Sequence, residues 1–167
     1  SSGQLDLGLA TLTPCQQDDN VYHLMAQEEI LLAVPSGHPL AQGGSVDWRL
    51  APQTELSRFS DQPFVRIYQR STLFGLTEPL FEEAGFTPKV LFSTSSNMSK
   101  YRIVEAGLAC ALLPDIYAVR GGPVVYFRLP QRPRWLITLC SRKDGWLGQP
   151  EQLFIALCRD YWREKTL

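Results

Sequence analysis

The stretch Val104-Glu-Ala-Gly-Leu-Ala-Cys-Ala-Leu-Leu-Pro-Asp-Ile-Tyr-Ala118 changes character at Gly107. Up to Gly107 it reads as the end of a helix. From Leu108 to Leu113 it is apolar without a break, and Pro114 stops it. A strand with one wet face alternates apolar and polar residues, so an unbroken run points to a strand buried on both faces. That demands helices on both sides of a sheet, and the residues upstream supply the order. Pro63–Tyr68 reads as a strand, residues from Thr72 as a helix, Lys89–Ser93 as a strand, residues from Asn97 as a helix, and Ala109–Leu113 as the buried strand. Strand, helix, strand, helix, strand is the pattern of parallel βαβ units, hence an α/β fold with mostly parallel sheets.

The rest of the chain gives further elements. Leu5–Ala10 alternates with period two, Glu29–Val34 is a second strand, and a short helix is expected near Val46–Leu50. The helix after Ser71 carries Leu73, Leu76, Leu80 and Ala84 on one face and ends at Gly85. Pro79 interrupts it, and an interior proline costs about 3 kcal/mol, so a kink or a restart capped by Thr77 is expected. The helix after Asn97 places Met98, Tyr101, Val104 and Leu108 at helical spacing, which predicts a buried face. Val124–Leu129 and Arg134–Ser141 read as strands. A closing helix with Pro150 in its first turn should bury Leu153, Phe154, Leu157, Cys158 and Tyr161.

Several function classes find no support. The formal net charge is −1, which offers no basic footprint for nucleic acid at the level of the whole chain. No apolar run approaches the roughly 18 residues of a membrane span, and no secretory signal opens the sequence. The four cysteines, Cys15, Cys110, Cys140 and Cys158, include no CxxC pair, and only His23 and His38 could assist a metal. The reading is reduced structural thiols with no metal site and no cofactor. No P-loop, G-x-S-x-G or G-x-G-x-x-G occurs, so no catalytic residue is assigned and the chain is not read as an enzyme. His38 reads as a turn residue. Arg66 is open to three readings: a site residue, a solvated strand face or a local ion pair.

Open parallel sheets bind ligands beyond the carboxyl ends of their strands. Two such ends here run into helix N-termini, where unpaired N–H groups and the helix dipole favour an anion. The candidate binding residues are therefore Gln69, Arg70, Ser71 and Thr72 on one loop, and Thr94, Ser95, Ser96, Asn97 and Ser99 on the other. Hydroxyl-rich loops and one arginine suit a small anionic metabolite such as a carboxylate. The competing reading is that these hydroxyls cap their own helices.

The sequences LDLGLATL, EEILLAVPSGHPLA, PFVRI, LFEEAGFTPKVLF and YRIVEAGLACALLPDIYA, with RWLITLCSRKD and PEQLFIALCRDYW at the end, occur in an order and spacing that resembles the effector-binding domain of LysR-type transcriptional regulators. The resemblance runs from Leu5 to Trp162. It implies a two-lobed fold like a type 2 periplasmic binding protein, with two crossover strands. Residues 1–35 and 135–167 would form lobe I and residues 36–134 lobe II, with Ile30–Val34 and Leu136–Cys140 at the crossings. It further implies a small-molecule effector in the interlobe cleft. It implies a cytoplasmic bacterial protein that is a homodimer or homotetramer at full length, with no membrane association. DNA binding would come only through an N-terminal helix-turn-helix, which these residues do not contain. The first strands and helix of lobe I would precede Leu5, so lobe I is expected to be incomplete. A periplasmic solute-binding protein of a transport system shares this fold and is the alternative.

Overall fold

The computed structural model describes residues 6–13, 16, 18–143 and 145–166, with the backbone alone for 164–166. Leu5 and Cys15 lie outside the described residues. The chain divides into two compact units, one running up to Glu28 and resuming at Arg134, the other spanning Glu29–Pro133.

In the first unit, strand β1 (Leu7–Leu12) pairs antiparallel with β7 (Arg134–Ser141), Leu7 opposite Ser141 and Leu12 opposite Leu136. β7 lies between β1 and the early part of β2 (Val21–Pro35). β2 is far longer than the Glu29–Val34 run that the sequence marks: its first half, residues 21–27, is only partly buried, with Met25 inside, and lacks the continuous apolar run of the second half. Helix α3 (Gln149–Thr166) follows. Met25, Ile137, Leu139 and Ile155 form the core of this unit, with Cys158 and Trp162 packed beside them. The expected face of α3 is thus wrong in most of its members. Leu153, Phe154, Leu157 and Tyr161 are all more than half exposed, whereas Ile155 is buried. Apolar residues cover so much of this helix that spacing alone does not select the sector that meets the sheet.

The second unit holds the central strands. The end of β2 is flanked on one side by β5 (Ala111–Pro114) and on the other by β6 (Val124–Arg128), both antiparallel to it. β3 (Pro63–Ile67) and β4 (Lys89–Thr94) form a parallel pair, and a parallel bridge from Phe64 to Cys110 joins β3 to the chain entering β5. The order across the unit is therefore β6–β2–β5–β3–β4. Residues 109–114 are buried throughout, as a strand covered on both faces requires. The expectation of mostly parallel sheets is narrowed: among the described residues the β3–β4 ladder and the bridges Phe64–Cys110 and Gln53–Arg128 are parallel, while the β1–β7, β2–β5 and β2–β6 ladders are antiparallel. The unbroken apolar run reports two-sided burial, and an antiparallel strand in the middle of a sheet meets that condition as well as a parallel one.

Helix α1 (Thr72–Glu83) connects β3 to β4, and α2 (Asn97–Glu105) connects β4 to β5. Gly85 and Gly107, at φ 77°, take the left-handed turns that end them. α1 runs unbroken through Pro79, and Thr77 is no cap: its hydroxyl donates to Leu73 O at 2.9 Å. Pro79 and Gly75, the residue whose carbonyl the proline leaves unpaired, are both exposed, so water can replace the missing bond. In α2 the buried residues are Lys100, Tyr101 and Val104. Met98 and Leu108, expected on that face, are about half exposed, at 45% and 50%. The short helix expected near Val46–Leu50 is a 3₁₀ turn at Trp48–Leu50.

Beneath α1, Phe64 is wholly buried and meets Phe81 edge to face at 5.1 Å, with Phe86 closing the cluster. A second cluster of Leu31, Val65, Tyr101, Val104, Ala111, Leu113 and Tyr126 lies beneath α2. The two helices are thus anchored by apolar packing, and their N-termini emerge at the carboxyl ends of β3 and β4.

Candidate functional site

The parallel pairing of β3 and β4 places Ile67 opposite Thr94, so the two following loops start side by side. Tyr68 N–H donates to Thr94 O at 3.0 Å and ties them together. All nine candidate residues lie on these two loops or on the first helical turns they lead into.

On the first loop, Gln69 and Arg70 are exposed in a turn. Arg70 has φ 77°, a left-handed conformation that costs an ordinary residue about 1–2 kcal/mol. Ser71 is the N-cap of α1. Its hydroxyl accepts from Phe74 N–H and donates to Tyr68 O, each at 3.1 Å. Thr72 opens the helix.

On the second loop, the Thr94 hydroxyl accepts from Ser96 N–H at 3.2 Å. Ser96 caps α2 by accepting from Ser99 N–H at 3.2 Å. Ser95 and Ser99 are exposed. Asn97 Oδ1 is buried and has no hydrogen-bond partner. Both caps leave further N–H groups of each first turn without a helical acceptor.

The hydroxyls of Ser71 and Ser96 therefore cap their own helices, as the competing reading holds. The two loops present main-chain N–H groups and the positive ends of two helix dipoles, which favour an anion, and the first loop also carries the exposed Arg70. One further cation escaped the sequence reading. Lys100, one turn into α2, is buried, and its ammonium donates to Leu112 O. Its spacing offered the clue: it sits four residues after the Ser96 cap and four before Val104, on the inward face.

The other candidate groups have structural roles. Arg66 pairs with Glu78 and lies 4.9 Å from the centre of the Phe74 ring, as the local ion-pair reading expects. His38 caps the 3₁₀ turn Pro39–Ala41 through Nδ1, and its Nε2 meets Gln62 Oε1 at 2.7 Å. Cys110, Cys140 and Cys158 are free thiols, and burial pushes the Cys110 thiol up to about 12. Among the described residues no group of three or more His, Cys, Asp or Glu could hold a metal ion. No helix there is long and apolar enough to cross a membrane.

In open α/β sheets ligands bind beyond the carboxyl ends of the strands, which is where these two helix N-termini lie. Comparison with known proteins makes this specific: the LysR substrate binding domain matches residues 1–163, and the chain belongs to that family. It is similar to the HTH-type transcriptional regulator YybE of Bacillus subtilis, at 26% identity over 129 residues, covering 77% of this chain and 41% of the relative. It is also similar to YwbI, an HTH-type regulator of the same organism, at 25% identity over 173 residues, covering 98% and 52%. The chain thus spans about half the length of the curated relatives it matches.

Among solved structures it resembles the CcmR regulatory domain of Synechocystis in complex with 2-PG. The TM-score is 0.75 at 14% identity, over 95% of this chain and 74% of that one. It also resembles the effector binding domain of QuiR in complex with shikimate, with a TM-score of 0.70 at 18% identity, over 95% and 72%. At these identities the structures speak for the fold, which is α/β and periplasmic-binding-protein-like. The solute-transport reading is not favoured by these comparisons, and the family is one of transcriptional regulators rather than enzymes.

Proposed function

We propose that this chain is the effector-sensing part of a cytoplasmic, DNA-binding LysR-type regulator. It binds a small anionic metabolite, a carboxylate in the first instance, at the loops Gln69–Thr72 and Thr94–Ser99. The two compact units correspond to lobes I and II of the family's regulatory domain. Binding alters how a helix-turn-helix elsewhere in a homodimeric or homotetrameric protein grips its promoter. The observation that carries this reading is the juxtaposition of two helix N-termini at the ends of neighbouring parallel strands, with Arg70 beside them. Each terminus favours an anion by about 0.3–1 kcal/mol when exposed and up to about 2 when partly buried. Shikimate and 2-PG, bound by two proteins of the same fold, are acids of the expected size.

Calorimetry on the intact regulator tests the reading. A panel of small carboxylates is compared with a neutral sugar and a diamine, in the wild type and in Arg70→Gln and Thr72→Ala. Carboxylate binding that weakens with added salt and in both variants is expected. Binding confined to the sugar or the diamine, or unchanged in both variants, would overturn it.

A further inference from the structure

Lys100 is 2% exposed, and its main-chain N–H bonds to Ser96 O at 3.1 Å, one turn below the α2 cap. Among the described residues its ammonium has a single partner, Leu112 O. That carbonyl is available because of the way the sheet is built. Val65 N–H donates to Cys110 O and Cys110 N–H to Pro63 O, so the polar groups of Cys110 face β3. Alternate residues of a strand direct these groups the same way, and a continued parallel ladder would bring Ile67 N–H to Leu112 O. The β3–β5 pairing stops at the Phe64–Cys110 bridge. Lys100 occupies the place where the next bond would form.

A charged ammonium is poorly served there. It has three N–H donors and one acceptor, and no carboxylate lies within 4.0 Å of it among the described residues. The positive end of the α2 dipole also lies one turn away. The charged groups on the surrounding elements are engaged with other partners. Arg66 on β3 pairs with Glu78, and Lys89 on β4 with Asp61. Asp115, on the 3₁₀ turn after β5 that also carries Tyr117, accepts from Glu29 N–H. On α2 itself Glu105 pairs with Arg102 and accepts from Tyr101. Burial pulls Lys100 down to about 7, while it pushes Cys110 and Tyr126 up to about 12.

We propose that Lys100 is a proton-linked counter-charge: an anion held at the Thr94–Ser99 loop draws a proton from solvent onto the Lys100 amine, so ligand and proton bind together. This rests on the reading of the two loops as the effector site. Four residues of helix separate Lys100 from the cap by about 6 Å along the axis. At about 6–8 Å and an effective dielectric constant near 20, one negative charge raises the proton affinity of the amine by about 30- to 100-fold. The sign follows from linkage: the bound form holds the proton more tightly than the free form. Affinity is therefore flat well below pH 7, where both forms are protonated. Above that it falls by up to about tenfold per pH unit until the bound form also loses its proton.

The test is calorimetry on the intact protein with sulfate and shikimate, both fully ionised above pH 6, so that any proton counted belongs to the protein. Titrations at pH 6, 7 and 8 in paired buffers of different ionisation enthalpy give the uptake. Hydrogen exchange of peptides carrying residues 69–72 and 94–99 is followed alongside. Protection of both loops with uptake of about 0.7 proton at pH 8 is expected. That uptake should be lost in Lys100→Met and kept in Asp115→Asn. Loop protection without proton uptake in the wild type overturns the role of Lys100 and leaves the site reading standing. Proton uptake that persists in a folded Lys100→Met protein does the same. If neither anion protects either loop, the site reading fails and this proposal with it. Should Lys100→Met not fold, the wild-type uptake still decides.

Discussion

Lys100→Met is expected to make the protein more stable, although it removes a hydrogen bond. An unfolded lysine titrates at 10.5, whereas burial holds the folded one at about 7. The difference of some three and a half units, at 1.36 kcal/mol each, means that folding near neutral pH costs about 5 kcal/mol at this residue. Methionine has similar length and carries no charge to desolvate. It leaves the Leu112 carbonyl unpaired, at about 1–3 kcal/mol. The net gain at pH 7 is then about 2–4 kcal/mol. The pH dependence is the sharper signature. Because the folded value is depressed, the unfolded state binds more protons between pH 7 and 10.5, and wild-type stability contributed by this group rises across that window. In the Met variant that rise is absent. Urea unfolding at pH 7 and pH 9, followed by far-ultraviolet circular dichroism, measures both quantities. A variant less stable than wild type at pH 7, or one that keeps the full rise, would show that the ammonium is well compensated and the reasoning mistaken.

Other expectations come from the packing. Phe64→Ala removes a wholly buried ring from the Phe81–Phe86 cluster and should cost about 3–5 kcal/mol in the same assay; a loss below about 1 kcal/mol would mean the cluster collapses to fill the space. Pro79→Ala restores a helical hydrogen bond at an exposed position and should stabilise α1 by about 1–3 kcal/mol, and a lower melting temperature would count against the continuous helix described here. Cys110, buried and with its thiol at about 12, should resist a thiol reagent at pH 8 until the protein unfolds, and prompt labelling of Cys110 in the native state, located by mass spectrometry, would contradict its burial.

The sequence was most legible where one physical demand governs a segment. The apolar run before Pro114 announces two-sided burial, and Gly85 and Gly107 mark helix ends because an αL turn favours glycine. Arg134–Ser141 was bounded correctly by Pro133 and by its own apolar content. The starts of α1 and α2 were legible for a related reason: Ser71 and Ser96 stand where a helix needs a cap. Strand direction was less legible, because burial on two faces does not distinguish a parallel from an antiparallel neighbour. Helix facing failed where apolar residues were abundant, as on α3, and on α2 where a lysine took an inward position that Met98 had been expected to hold. A buried lysine goes unseen in a reading that sends charges to the surface, since what lets it inside is a carbonyl exposed by an interrupted ladder twelve residues later.

The central claim is that the first turns of α1 and α2 together hold an anion. Hydrogen exchange on the intact regulator with shikimate and with its neutral methyl ester, at equal concentration and low salt, tests it most directly. The acid is expected to slow exchange at the amides of residues 72–74 and 97–99 together, and the ester to leave them nearly unchanged. Equal protection by acid and ester, or protection elsewhere in the chain with both first turns unaffected, would contradict it.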